Sequence, residues 1–378
     1  MYRTEKGIEQ RRYDIVFSRS EAIAPFPRLY HAAQCLGEMG FSCLAVGWDR
    51  ERMHPTFERK NGLDIVRFRF KGRYGSGLRN FFGLFLFNLA LLSVLLRVRP
   101  RFIHAYDLDT VIPALLVRFL IRCKVIYDVA DWYSDSRKVG PFRVLVDKLE
   151  KWVCRKADFV ILAHEKRIAQ LGFEPKRWIA IYNVPEDVRG TLSDGGPIEG
   201  SYFAYVGVLY PDRGLEQIVQ AAIKANVRVV IAGFGPLENY CREVAARESN
   251  IVFLGKVPYE KALQIEGNAI AILALYDPSL RNNQLAAPNK LYEAMMLGRP
   301  LITNKDTLVG EFVEEEKIGA TFVYGDIESL ASIMGWFCDH LEERELMGHR
   351  ARMLYDIKYS SGEQKTRLRK VYLELGLF

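Results

Sequence analysis

Short apolar runs alternate with helix-length stretches along this chain, and the alternation happens twice. The first series places runs at 13–17, 42–47, 65–70, 102–105, 124–128 and 159–163; the second places them at 202–207, 228–232, 251–255, 269–275, 300–303 and 320–323. Runs that are apolar throughout suit strands covered on both faces, and parallel strands need a crossover helix between neighbours. Helices are expected at 214–226, 237–249 and 291–297. The pattern predicts an α/β protein with two Rossmann-like domains, which also suits a length of 378 residues. Between the series, Val184-Pro185-Glu186-Asp187 leads into Gly190, Ser193, Asp194, Gly195, Gly196 and Pro197, a polar, turn-rich linker. The expected division is residues 1–185, a linker at 186–200, a second domain at 201–362 and a closing helical segment at 363–378.

Charge is divided as unevenly as the strands are evenly spaced. Residues 1–185 carry a net +13 and the remainder −6, within a total of +7. A basic half of this size implies an anionic partner. The densest stretch holds Arg59, Lys60, Arg67, Arg69, Lys71, Arg73 and Arg79, interleaved with Phe68, Phe70 and Tyr74. Such interleaving can serve single-stranded nucleic acid. Here, however, 65–70 alternates like an edge strand, and the following segment 81–96 is apolar except for Gly83, Asn88 and Ser93. At ~1.5 Å per residue that segment reaches about 24 Å, short of a ~30 Å hydrocarbon core, so it reads as a buried helix or one dipping into a membrane face. An anionic membrane surface met through residues 59–99 is the expected partner, and nucleic acid is not. The six cysteines form no C-x-x-C pair and have no histidines at zinc spacing, so no metal is expected and a reducing compartment is. The first 14 residues are polar and charged rather than a secretory leader, so a cytoplasmic location is expected.

In sheets of this kind ligands sit at the carboxyl ends of the strands. Gly207 ends one run, and Arg213 stands just before a helix start, where free N–H groups favour phosphate. Gly233-Phe234-Gly235-Pro236 joins the next run to its helix, but the third glycine of a dinucleotide fingerprint would fall at Glu238, which disfavours a nicotinamide enzyme. In Pro288-Asn289-Lys290-Leu291-Tyr292-Glu293, Pro288 suits a helix entrance and Gly298 its exit. Lys290 in the first turn opposes the macrodipole unless an anion sits there. Glu293, one turn on, is spaced to reach paired hydroxyls such as those of a ribose.

This ordered set resembles glycosyltransferase family 4, retaining enzymes of the GT-B fold in which two Rossmann-like domains face across a cleft. It comprises Gly207 to Gly214, Gly233 to Pro236, Asn250 to Gly255 and Pro288 to Pro300. Phe102 to Asp109 and Val125 to Asp131 look like that family's first-domain strand ends. The resemblance implies a nucleotide-diphosphate sugar on the second domain and a glycan or polyprenyl-linked acceptor on the first, with the anomeric configuration kept. Glu293 would bind ribose hydroxyls, and Arg213 and Lys290 would neutralise the leaving diphosphate in place of a metal. Gly207, Gly233, Gly235, Val257, Pro288 and Asn289 would complete the donor site. No cofactor beyond this co-substrate is implied, and the last helix would pack back on the first domain.

Three positions depart from the family pattern: Leu285 replaces an acid, Val208 an arginine and Ala130 a histidine. Asn283, Gln284 or backbone amides at Ala286 and Ala287 would then substitute around the sugar. For the acceptor's proton, Asp131 and Asp128 are the candidates, with Asp107 and Asp109 one strand over; an aspartate after a strand can equally cap a helix or turn. Trp132 is expected to floor an acceptor. Action at the inner face of the membrane, in cell-surface polysaccharide or glycolipid synthesis, is the expectation. A catalytically inactive GT-B scaffold and a sugar-nucleotide epimerase are the alternatives.

Overall fold

Alternate residues of the first strand, β1 (Ile15–Arg19), enter two different cores: Val16 joins one, and Ile15 and Phe17 join the other. Such a strand must lie inside a sheet covered on both faces. The computed structural model describes residues 12–23, 26–72, 81–137, 139–192 and 198–376. It places β1 at the middle of an eight-stranded sheet.

That sheet continues along the chain with α1 (Pro27–Glu38), β2 (Cys43–Trp48), β3 (Phe57–Lys60), β4 (Leu63–Phe68), α2 (Phe81–Val98), β5 (Phe102–Tyr106) and α3 (Leu108–Ile121). It is completed by β6 (Lys124–Val129), α4 (Arg143–Lys156), β7 (Phe159–Leu162) and β8 (Trp178–Ala180). The strand order is β3-β4-β2-β1-β5-β6-β7-β8, parallel except for the antiparallel edge pair β3–β4. Phe87 and Leu91 of α2, Val111 and Leu115 of α3, and Val153 of α4 pack one face. Leu29 and Leu36 of α1 pack the other. The order reverses between β1 and β5, so the crevice at their carboxyl ends is the switch point where such sheets take ligands.

The second sheet is built from β9 (Phe203–Val208), α5 (Leu215–Ala225), β10 (Val229–Phe234), α6 (Glu238–Arg247), β11 (Ile251–Phe253), α7 (Tyr259–Gly267) and β12 (Ile272–Ala274). It continues through α8 (Asn289–Leu297), β13 (Leu301–Asn304), α9 (Leu308–Glu316), β14 (Gly319–Phe322), α10 (Ile327–Asp339) and α11 (Leu341–Leu354). All six strands are parallel in the order β11-β10-β9-β12-β13-β14, with the reversal between β9 and β12.

The chain divides into two units, Met1–Tyr182 with Gln364–Phe378, and Asn183–Glu363. The last helix, α12 (Ser361–Glu374), belongs mostly to the first unit, where Leu368, Val371 and Tyr372 fill the face shared with α1. The change of unit falls after Tyr182 rather than Pro185. Asn183 donates to Asn289 Oδ1 at 2.6 Å, and the Pro185 carbonyl accepts from Tyr355 at 2.8 Å, both within the second unit. Of the residues read as linker, 193–197 lie outside the described residues, as do Arg73, Tyr74 and Arg79 of the basic stretch.

The expected apolar segment forms helix α2, which buries Phe87, Leu91, Val94 and Leu95, while Phe82, Phe85 and Leu89 stay exposed. Among the described residues no helix is long and apolar enough to cross a membrane.

Candidate functional site

At the switch point of the second sheet, β9 and β10 run side by side with Gly207 in register with Gly233. Gly233 has φ 153°, and a Cβ there would lie 1.7 Å from the Gly207 carbonyl oxygen. Only glycine permits this approach. Beside it opens a cavity of about 410 Å³, whose walls include Gly207, Gly233, Val257, Pro288 and Asn289.

Five charged side chains line that cavity, among them Lys256, whose Nζ is 5.0 Å from the Phe234 ring centre. Lys290, in the first turn of α8, lies against Gly207, where a Cβ would come within 3.3 Å of its Cε. Its Nζ is 3.1 Å from Glu266 Oε1 on α7 and 5.4 Å from the Tyr205 ring centre. Pro288 caps α8 without a side-chain hydrogen bond and no acid occupies the first turn, so the helix presents free N–H groups together with a cation. Arg213 ends a short turn before α5, with its guanidinium 4.8 Å from the Tyr276 ring centre. One amine donates to Asn283 Oδ1 at 3.3 Å, while its Nε has no hydrogen bond among the described residues. Glu293, buried one turn into α8, accepts from Tyr259 Oη at 2.9 Å. Glu266 is 1% exposed; burial raises its carboxyl to about 7, with Glu293 adding to the rise and Lys290 opposing it.

The expected donor residues thus converge on one cavity, apart from Gly235, which is not among its walls. Around Leu285, Asn283 is buried and committed: it accepts from Arg213 and donates to Asp212 Oδ2 and the Asp277 carbonyl at 3.1 Å each. It orients Arg213 rather than offering itself to a sugar. Gln284 is likewise tied to the Pro278 carbonyl at 2.8 Å.

The first sheet has its own polar cluster at the switch point between β1 and β5. Asp107 follows β5 with φ 69° and ψ 150°, a conformation that residues other than glycine adopt only under constraint. It occupies the N-cap position of α3 without making a side-chain cap, so the capping reading does not account for it. Arg19 Nε lies 3.6 Å and Arg137 3.9 Å from its carboxylate, and Glu21 pairs with both arginines at 2.7 and 3.2 Å. Asp109 accepts from Tyr133 Oη at 3.3 Å and is flanked by Ser20 and Arg50. Burial first, then Asp109, raises Asp107 to about 6; burial raises Asp109 as well. Asp107 Oδ2, Asp109 Oδ1, Ser18 Oγ and Ser20 Oγ are buried without a hydrogen bond among the described residues.

The remaining first-domain candidates separate. Asp131 keeps a side chain 52% exposed, 3.2 Å from Arg167. Two expectations are corrected. Asp128 is buried inside β6, where Arg28 grips both oxygens at 2.7–3.1 Å and His104 Nε2 stands at 3.2 Å. Burial alone would raise its pKa, but these partners hold the carboxyl below its ordinary value, which suits a structural anion rather than a base. Trp132 is 2% exposed in the first core and donates its indole N–H to Asp147 at 2.8 Å, so it floors nothing. Sequence reasoning passed over Glu266, although an acid on the buried stripe shared with Ala262 and Leu263 was a visible signal.

Two doubly wound, predominantly parallel sheets, one bearing a cavity lined by cationic side chains at its switch point, define a two-unit α/β protein of the class that takes ligands at strand ends. The pattern described as "Glycosyl transferase 4-like domain" matches residues 25–183, and "Glycosyl transferases group 1" matches residues 200–340. The chain belongs to the glycosyltransferase 4-like family and has the GT-B fold.

Among curated relatives, the D-rhamnosyltransferase WbpZ of Pseudomonas aeruginosa is 26% identical over 157 residues, 41% of this chain and 40% of that one. The O-antigen chain mannosyltransferase C of Escherichia coli is 24% identical over 164 residues, 43% of each. These alignments span about two-fifths of the relatives' length. Sucrose-phosphate synthase from Thermosynechococcus elongatus shares the fold with a TM-score of 0.76 at 15% identity, over 96% of this chain and 99% of that one. Anabaena HepE in complex with UDP gives 0.71 at 14%, over 96% and 100%. WaaG, a glycosyltransferase involved in lipopolysaccharide biosynthesis, gives 0.68 at 12%, over 94% and 99%.

Proposed function

We propose that this chain is a retaining, metal-independent glycosyltransferase that moves a sugar from a nucleotide-diphosphate donor to a hydroxyl of a glycan or polyprenyl-linked glycan. The observation that carries the reading is the second-unit cavity, where Lys290, Arg213 and the free N–H groups of α8 meet beside Gly207 and Gly233. Charge develops on the diphosphate as the glycosidic bond breaks, and two cations, Arg213 before α5 and Lys290 in the first turn of α8, stabilise that charge without a metal. Glu293, with Tyr259 as partner, is assigned to the ribose hydroxyls, and Val257 and Gly233 to the neighbouring backbone walls.

The acceptor is assigned to the first-unit cluster. Its unbonded atoms are two carboxylate oxygens and two serine hydroxyls, and sugar hydroxyls both donate and accept. A phosphate would have nothing to donate to Asp107 and Asp109. Asp131, exposed and near its helix-borne partner Arg167, is assigned to the acceptor's proton. Synthesis of cell-surface polysaccharide or glycolipid is supported by the similarity to the O-antigen chain mannosyltransferase and to WaaG, which is involved in lipopolysaccharide biosynthesis.

A thermal-shift screen against UDP, GDP, ADP and dTDP in the presence of EDTA tests the donor site. A nucleotide at ~100 times its Kd adds about 2.7 kcal/mol of stability, a shift of several degrees. The expected result is one nucleotide standing out and losing its effect in Lys290→Met. No shift with any of them, or a shift indifferent to Lys290, overturns the donor assignment.

A further inference from the structure

We propose that Glu266 is a positioning residue: its buried carboxylate holds Lys290 for the donor and takes up a proton from solvent when the diphosphate claims that lysine. The inference rests on the donor site proposed above and adds to it a residue that neither the family pattern nor the sequence had singled out.

Glu266 sits on α7 with its Oε1 3.1 Å from Lys290 Nζ and is almost wholly buried, while Lys290 keeps 13% of its side chain exposed. Lysine is long and flexible, and this bond with the floor at Gly207 and the Tyr205 ring fixes where its ammonium stands. The charged and titratable groups facing Glu266 are Lys290 and Glu293 from α8, Tyr259 from its own helix and Tyr276 after β12. Only one of these is a cation. A nucleoside diphosphate brings further negative charge to the same lysine. Glu266 then keeps its burial and its acidic neighbour but loses its share of the cation, and a buried carboxylate left in that position takes a proton. Its proton affinity already lies near neutrality from burial and Glu293, so the uptake falls in an accessible pH range.

The test is titration calorimetry with UDP, GDP, ADP and dTDP at pH ~7.5, each in two buffers of different ionisation heat, on wild type and Glu266→Gln. The nucleotide's terminal phosphate titrates in both proteins, so the difference between them isolates Glu266. Wild type is expected to take up roughly one more proton than the variant. Its Kd is expected to rise by up to about tenfold per pH unit above pH ~7, while the variant's Kd stays flatter. Equal uptake in the two proteins overturns the proposal, because a merely structural buried pair would lower Tm without touching the proton count. If Glu266→Gln does not fold, Glu266→Asp decides: retained uptake with weaker binding supports the proposal, and wild-type affinity without uptake overturns it. Failure of wild type to bind any nucleotide overturns the donor reading itself, an outcome distinct from binding without the extra proton.

Discussion

At Gly233 the backbone geometry leaves no room for any other residue. The neighbouring strand's carbonyl oxygen stands 1.7 Å from where a Cβ would begin, and no side-chain rotation relieves a clash with backbone. Gly233→Ala is expected to cost upwards of about 4 kcal/mol and to abolish the nucleotide-induced thermal shift; a variant that melts like wild type and still responds to nucleotide contradicts it. At this scale the residues that line the second-unit cavity were legible because they are local: a glycine ending a strand, a lysine opposing the helix dipole and an acid one turn later each declare a need within a few positions of sequence. What was not legible depended on partners far along the chain. Asp128 faces Arg28 and His104, and Trp132 faces Asp147, so nothing adjacent to either showed that it turns inward. Ser20 and Asp109 meet only because β1 and β5 are sheet neighbours.

At the scale of elements, most strands followed from their unbroken apolar runs. The edge strands of the first sheet did not: β3 is the charged sequence Phe57–Lys60 and β8 has three residues, so both are defined by pairing with a neighbour rather than by their own composition. Helix α12 was expected to pack back on the first unit and does so, its Tyr372 Oη meeting His104 Nδ1 at 2.9 Å across a long stretch of chain. Tyr372→Phe leaves that buried nitrogen unsatisfied and is expected to cost about 1–3 kcal/mol, read as a lower Tm; an unchanged Tm would mean that α12 is not held there.

Helix α4 carries a pH dependence. Glu150 is buried and accepts from Tyr127 Oη at 2.8 Å and the Tyr133 amide at 3.0 Å, yet burial outweighs both bonds and raises it to about 8. A carboxyl with a raised folded-state pKa contributes stability that is full below its ordinary value and is lost as pH rises through 8. Wild type should therefore lose on the order of a few kcal/mol between pH 5 and pH 9, and Glu150→Gln should lose less, measured as Tm against pH. Parallel Tm profiles for the two proteins would exclude Glu150 as the source.

For the whole molecule the governing quantity is the charge division, +13 on residues 1–185 against −6 beyond. It acquires a surface in α2 and α3, which pack against each other. The last turns of α3 expose Leu116, Phe119 and Leu120, the latter two at 76%, while α2 exposes Phe82 and Phe85. Arg97, Arg99 and Arg122 are exposed at the ends of the same helices. The membrane contact expected at residues 59–99 would extend on this surface to α3, whose tip carries Leu116, Phe119 and Leu120. Aromatic and leucine side chains contribute roughly 1.5–3 kcal/mol each when fully buried, and each basic residue near an anionic surface about 1 kcal/mol, so neither contribution is required to act alone. The protein should sediment with phosphatidylglycerol vesicles at ~0.15 M salt and less so at higher salt, because screening removes the charge contribution and leaves the apolar one. A Phe119→Ser, Leu120→Ser variant should lose the salt-resistant part while leaving nucleotide binding by the second unit intact. If wild type stays in the supernatant with anionic vesicles at ~0.15 M salt, this surface does not meet a membrane, and the basic excess of the first half serves another anion.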